Sequence, residues 1–197
     1  MILPIFPLPV YLLPNGITQL RIFEQRYLNM VKNSQNTQGF VIVHTLRDGQ
    51  KSKYKTNAKT RLSEWGSWVD IVDFDSGEDG MLLITVRCKS LVNIADVHQQ
   101  EDKLNLATIL PKPHWQAEVE NERCLLLKTQ LERLFDSHIA LQKLYPSPDF
   151  DSDNWVCARW LELLPIEFSD KQHFSQDNSF VEAVDFLTTI FVSETSS

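Results

Sequence analysis

A chain of 197 residues with 43% hydrophobic and 23% charged side chains has the composition of a globular protein, long enough for one large core or two smaller ones. The formal charge of −7 is uneven, with 12 Lys/Arg against 11 Asp/Glu in residues 1–110 and 7 against 15 in residues 111–197, which argues against nucleic acid as a general partner. Three dispersed cysteines (Cys88, Cys124, Cys157) suggest neither a disulfide framework nor zinc, no apolar run reaches the roughly 20 residues of a membrane helix, and Pro4, Pro7, Pro9 and Pro14 break the apolar N-terminus where a signal peptide would be helical, so a cytoplasmic location without a membrane is expected.

The chain opens with Leu3-Pro4-Ile5-Phe6-Pro7-Leu8, a strand, and reaches a turn at Pro14-Asn15-Gly16, where proline fixes its own φ and glycine relaxes the chain after it. Leu20 and Ile22 alternate as a strand with one buried face. Phe23, Tyr27, Met30 and Val31 then fall at i, i+4, i+7 and i+8, the apolar stripe of a helix, with Glu24, Arg26, Asn29 and Lys32 on its other faces. Phe40 to His44, Trp68 to Phe74, Met81 to Val86 and Leu104 to Ile109 are short and rich in β-branched and aromatic residues, as strands are, and Leu91 to Val97 supplies a fifth. Between two of them, Asp75-Ser76-Gly77-Glu78-Asp79-Gly80 has the polarity and glycines of a hairpin loop. Such a series of strands predicts a barrel or a sandwich over residues 1–110, plugged or flanked by the one helix.

From Pro111-Lys112-Pro113 onward the texture is helical, giving a second part over residues 111–197. Leu127, Leu131, Leu134 and Phe135 share a helix face between Trp115 and Tyr145, with a break expected near Asp136-Ser137, and Pro146 and Pro148 enforce a loop. Asp153 is expected to cap a helix carrying Trp155, Ala158 and Leu161 that Pro165 ends, with Trp155 in the core. Ser169 with Gln172, and Ser179 with Glu182, have the spacing of capping boxes. Phe180, Val184, Leu187 and Phe191 line one face of the last helix, completing a C-terminal helical bundle.

Motifs of catalysis are missing. No glycine lies in a phosphate-wrapping loop, and there is neither a nucleotide-binding fingerprint, a G-x-S-x-G elbow, nor a helical HExxH. The five histidines stand apart from one another and from any acidic cluster, so no metal or cofactor is expected. The carboxylates Asp70, Asp73, Asp75, Glu78 and Asp79 do cluster, and strand alternation places Asp70 and Asp73 on opposite faces, which suits a solvated strand edge better than an acid–base pair. The chain is therefore expected not to be an enzyme.

Two features can bind macromolecules. Trp65 and Trp68, flanking Gly66-Ser67, can offer an apolar ledge to a polypeptide. Arg47 to Arg61 holds a run of positive charge in which Lys51, Lys53 and Lys55 surround Tyr54, an arrangement able to contact phosphates and stack a base; a solvated loop is the plainer interpretation, because nucleic-acid sites recruit more than one loop.

The segments Leu3 to Leu8, Pro14-Asn15-Gly16 and Leu20-Arg21-Ile22-Phe23-Glu24-Gln25-Arg26-Tyr27 together resemble the N-terminal, substrate-binding domain of the Lon protease family. Gly66-Ser67 with Val69 to Asp73 and Glu78-Asp79-Gly80 is similar to a strand and acidic hairpin of that family, and Leu163-Leu164-Pro165 before Lys171-Gln172 looks like a turn in its helical part. Arg87-Cys88-Lys89-Ser90-Leu91 departs from the family's usual Gly-x-x-Arg-Phe. The resemblance implies an α+β fold, a PUA-like twisted β-barrel with one inserted helix followed by a C-terminal helical bundle. It also implies a domain that binds unfolded or tagged polypeptides, or a protein partner, with the ATPase and Ser-Lys protease parts lacking from a sequence that stops at Ser197. An RNA-binding module of the same PUA-like architecture, using loop 47–61, is the alternative. Arg21, Glu24 and Arg26 are expected to act first as an ion-pair network tying strand to helix.

Overall fold

The computed structural model describes residues 1–34, 38–46, 52–56, 60–77, 80–115 and 123–194. The chain is mixed α+β and divides into two compact units, Met1–Lys112 and Pro113–Ser197. Glu78 and Asp79 of the acidic hairpin, and Arg47 to Lys51 with Lys59 of the basic segment, lie outside the described residues.

Unit 1 is a twisted seven-stranded sheet with one helix. The strands are β1 (Ile2–Leu8), β2 (Ile17–Ile22), β3 (Phe40–Leu46), β4 (Tyr54–Lys55), β5 (Arg61–Ser76), β6 (Leu82–Gln99) and β7 (Asn105–Lys112), with α1 (Gln25–Ser34) between β2 and β3. Their order is β2-β6-β7-β1-β3-β5-β4, and a further β5–β6 pairing makes the sheet curl back on itself. β1 runs parallel to β3, with Ile5 opposite Val41, and antiparallel to β7, with Ile2 opposite Thr108. Both faces of β1 are covered, which is why its sequence is almost continuously apolar. Leu3 and Ile5 join a buried cluster with Val41, Val43, Leu62, Val92, Ile94, Ala107 and Ile109. Phe6 instead stacks on Tyr27 of α1, ring centroids 4.0 Å apart, and approaches Phe40.

The helical stripe holds for Tyr27, Met30 and Val31, all buried, and burial of such side chains contributes about 1.5–3 kcal/mol each. Phe23 departs from the expected stripe. It precedes α1 and is 67% exposed, because the chain turns at Phe23-Glu24 before the helical period begins.

Two strands are longer than sequence alternation suggests. β5 begins at Arg61, and β6 merges the segments around Ile84 and Ile94, because β-bulges let one strand bend without ending. Gly66 sits where β5 crosses closest to β3: a Cβ there would lie 2.5 Å from the Ile42 carbonyl oxygen and 2.7 Å from Val41 Cγ1. One bulge corrects the sequence reading of the carboxylates. Asp70 pairs with Arg87, Ile71 with Val86 and Asp73 with Thr85, so Val72 is the extra residue and Asp70 and Asp73 fall on the same face, not opposite ones. Among the described residues of this hairpin, Gly77 N–H donates to the Met81 carbonyl at 2.8 Å, and Gly80 takes φ of +74°.

Unit 2 is helical: α2 (Cys124–Ser137), α3 (Ile139–Leu144), α4 (Asp153–Leu163), α5 (Phe168–His173) and α6 (Phe180–Glu194). The expected break falls at His138. α2 turns Leu127, Leu131 and Phe135 inward, and Trp160 on α4 donates its indole N–H to the Leu127 carbonyl at 2.9 Å. Trp155 is buried, with Phe150 at 5.5 Å and Tyr145 at 5.6 Å between ring centroids.

Several expected caps differ. Ser152, not Asp153, caps α4, its Oγ accepting from Trp155 N–H at 3.3 Å, while Asp153 occupies the first turn, where its charge favours the positive helix end. Ser169 lies inside α5, whose cap position is Glu167. The Ser179 hydroxyl accepts from the Trp115 indole at 3.0 Å and donates to the Gln176 carbonyl at 2.8 Å, while Glu182 reaches His173, so tertiary partners replace the capping box.

Candidate functional site

The junction from β2 into α1 builds a recess in unit 1. Ile22 closes β2 in the core, Phe23 and Glu24 turn the chain outward, and Arg26 and Tyr27 open the helix. The recess has a volume of about 290 Å³. Its apolar wall is Phe6, Pro7 and Leu8 from the end of β1, with Phe23 and Tyr27 beside them. Its polar wall is Arg21, Glu24 and Arg26, then Thr45 from β3 and Thr56 and Thr60 beyond it. Gln99 and Asn105, from the ends of β6 and β7, complete the lining.

This polar wall is organised by local geometry. Arg26 pairs with Glu24 at 2.7 Å and donates to the Lys103 carbonyl at 3.1 Å, and its guanidinium lies 4.7 Å from the centre of the Tyr27 ring. The Glu24–Arg26 part of the expected ion-pair network is therefore formed, and it ties the start of α1 to the β6–β7 turn. Gln99 donates to the same Lys103 carbonyl at 3.1 Å and to the Asn105 side-chain carbonyl at 3.2 Å. Thr56 Oγ1 accepts from Thr60 N–H at 3.2 Å, which leaves its hydroxyl proton for another acceptor. Burial pushes the Tyr27 phenol above its ordinary pKa; the Arg26 charge opposes this and the Glu24 charge adds to it. Tyr27 is thus a neutral wall at physiological pH, and Glu24, the one carboxylate among the described lining residues, is paired with Arg26.

The sequence-derived candidates lie elsewhere. Trp65 is buried, 6% exposed, and meets Tyr11 edge-on at 5.9 Å, so it is not part of an exposed ledge. Trp68 lies three residues along an unbulged stretch of β5, and thus on the other face. It is half-buried, its indole N–H donates to the Gln38 carbonyl at 2.5 Å, and Lys89 covers its ring at 4.2 Å. Both tryptophans are engaged by the fold.

In the basic segment Lys51 lies outside the described residues. Lys53 pairs with Glu64 at 3.7 Å and lies over the Tyr54 ring at 5.0 Å, while Tyr54 packs against the core cluster and Lys55 closes the short β4 pairing with Arg61. Tyr54 is thereby not presented to stack a base. On the acidic hairpin Asp70 pairs with Lys89 at 3.3 Å, and the Asp73 and Asp75 carboxylates accept from the backbone N–H groups of Phe74 and Ser76. Among the described residues no group of three or more His, Cys, Asp and Glu is placed to hold a metal ion.

Comparison with known proteins gives the family and the fold. The family model described as the ATP-dependent protease La (LON) substrate-binding domain matches residues 2–196. Among solved structures, the Lon N-terminal domain protein from Xanthomonas campestris is 27% identical, with a TM-score of 0.70 over 96% of this chain and 98% of that one. The N-terminal domain of the Mycobacterium avium complex Lon protease, 12% identical, shares the fold with a TM-score of 0.61 over 95% of this chain and 96% of that one. No curated protein sequence matches.

Proposed function

Because the chain belongs to the Lon substrate-binding domain family, we propose that it binds polypeptides, as unfolded segments or as part of a protein partner, and does no hydrolysis itself. The observation that carries this reading is the recess at the β2–α1 junction, where Phe23 stands 67% exposed beside Phe6, Pro7, Leu8 and Tyr27. An exposed phenyl ring at the mouth of a partly apolar recess suits an extended chain, which can lodge a side chain and find hydrogen-bond partners for its backbone on the polar wall. The 197 residues contain no phosphate-binding loop or nucleophile motif, so binding is expected to need no ATP. Three buried cysteines that form no disulfide suit a reducing compartment, and we take the cytoplasm as the place of action.

Fluorescence anisotropy of a labelled, reduced and alkylated polypeptide tests this. The chain should bind it without nucleotide, and Phe23→Ser should weaken binding by about tenfold or more, since burying one phenyl ring is worth about 1.5–3 kcal/mol. Absence of binding, or equal affinity of the variant, refutes the reading.

A further inference from the structure

We propose that the open edge of β5 is a strand-pairing surface held shut by Asp73 and Asp75, and that the partner it would otherwise take is the same edge of a second copy of this chain. The inference goes beyond the polypeptide-binding reading and does not depend on the recess.

The neighbours of β5 change along its length. As far as Val69 it pairs with β3, and past Val69 it pairs with β6 alone, so Asp70 to Ser76 present an open edge among the described residues. Such an edge directs alternate N–H and C=O groups outward, where another strand can take them. Gly77 N–H donates to the Met81 carbonyl, so two and four residues earlier Asp75 and Asp73 make the hydrogen-bonded pairs with Leu83 and Thr85. The alternate residues, Phe74 and Ser76, turn their backbone groups away from β6. Both of these outward N–H groups are already taken: Asp73 Oδ1 accepts from Phe74 N–H at 2.8 Å, and Asp75 Oδ1 accepts from Ser76 N–H at 2.7 Å. A carboxylate thus stands at each place where an incoming strand would bring a carbonyl.

Without those carboxylates the edge suits pairing with itself. Val72 is 46% and Phe74 42% exposed, and a neighbouring strand would cover them. A two-fold axis through Phe74 sets the edges of two copies antiparallel, with the N–H of each Phe74 facing the other's carbonyl. The same register puts Asp73 opposite Asp75 of the second copy, once on either side of the axis. Like charges directly opposite each other in a sheet are destabilising. Asp70 is paired with Lys89, but among the described residues no cation pairs with Asp73 or Asp75. The two aspartates therefore act twice, by occupying the outward donors and by opposing the one register that would bury Phe74.

Sedimentation velocity of the full chain over a concentration series tests the proposal. Asp73→Ala with Asp75→Ala frees both N–H groups and removes both charges, and should tighten self-association by at least about tenfold. Asp75→Lys alone should do the same, because the new ammonium meets Asp73 of the second copy on either side of the axis. Asp73→Lys with Asp75→Lys puts like charges back across the register and should associate no more than the wild type. Adding Phe74→Pro to the double alanine variant removes one outward N–H, a change that edge strands tolerate, and the gain should vanish. Asp73, Phe74 and Asp75 are exposed, and matching far-ultraviolet spectra check that each variant folds. The proposal is overturned if the double alanine or the Asp75→Lys protein associates no more strongly than the wild type, or if the double lysine variant gains as much as they do. A gain that survives Phe74→Pro overturns it too, as does a wild-type dimer that Phe74→Pro disperses.

Discussion

Replacing Glu162 by glutamine tests what organises the interior of unit 2. Arg159 is a buried cation, its side chain 1% exposed, held by Glu162 through Nε to Oε2 at 2.8 Å and Nη2 to Oε1 at 2.9 Å. Its guanidinium also lies 5.3 Å from the Trp155 ring centre and 5.8 Å from that of Tyr145. With charge centres about 4 Å apart and an effective dielectric constant of about 20, the pair attracts by about 4 kcal/mol. Breaking a buried pair from one side costs about 3–5 kcal/mol, because the stranded charge remains. For a domain of about 60–100 residues each kcal/mol moves the melting temperature by about 4–8 °C, so Glu162→Gln should lower it by more than about 12 °C. Ellipticity at the helical minimum follows unit 2. The decisive comparison adds Arg159→Met and the double variant, which leaves neither member of this pair as a stranded charge and should melt closer to the wild type than Glu162→Gln does. A Glu162→Gln protein melting within about 4 °C of the wild type, or a double variant that sums the two losses, refutes the reasoning.

Gly66→Ala should destabilise unit 1 by more than about 1 kcal/mol, because its Cβ would stand 2.5 Å from the Ile42 carbonyl oxygen; urea unfolding followed by the tryptophans of β5 checks this, and an unchanged midpoint would contradict the close approach of β5 to β3. Burial holds the Lys171 ammonium below its usual pKa, against the pull of Glu162. Its folded pKa is thus below its unfolded one, so between the two the unfolded chain binds more protons and stability rises with pH, in the window just below the ordinary lysine value of 10.5. Lys171→Met should therefore raise stability at neutral pH and flatten that alkaline rise; unfolding curves taken across the window that keep the rise would exclude Lys171 as its source.

Much of the architecture is written in local patterns. β1 reads as apolar on both faces because it is covered on both, and Tyr27, Met30 and Val31 announce α1 through their spacing. Long-range chemistry is where local patterns fail. Nothing around Val72 signals that it is the extra residue of a bulge, since that follows from pairing with Thr85 and Val86, and the bulge brings Asp70 and Asp73 to one face. Ser179 has the spacing of a cap, but Trp115, 64 positions away, takes its hydroxyl. The two cysteines that lie far apart in sequence, Cys124 and Cys157, come together between α2 and α4, and the Cys157 thiol is pushed well up by its hydrogen bond with Cys124 and then by burial.

Half of the recess was visible in the sequence and half was not. Arg21, Phe23, Glu24, Arg26 and Tyr27 stand together in one motif, whereas Thr45, Thr56, Thr60, Gln99 and Asn105 are drawn from separated places by the curl of the sheet. Trp65 and Trp68 attracted a binding role because tryptophan is common at interfaces. The strand alternation that separates them by face also assigns each to packing, and β5 had to be seen beginning at Arg61 for that alternation to apply.

The pairing of β1 with β7 has a consequence for synthesis of the chain. Leu3 and Ile5 are synthesised about a hundred residues before Ala107 and Ile109, which share their cluster, and Ile2 finds its partner only at Thr108. At about 5–20 residues per second the apolar N-terminal strand waits on the order of 5–20 s for its antiparallel neighbour. Its parallel partner β3 arrives earlier, but parallel pairing between distant segments closes slowly. A nascent chain of this protein thus passes through an interval in which it displays the kind of uncovered apolar segment that, once folded, it is proposed to hold for others.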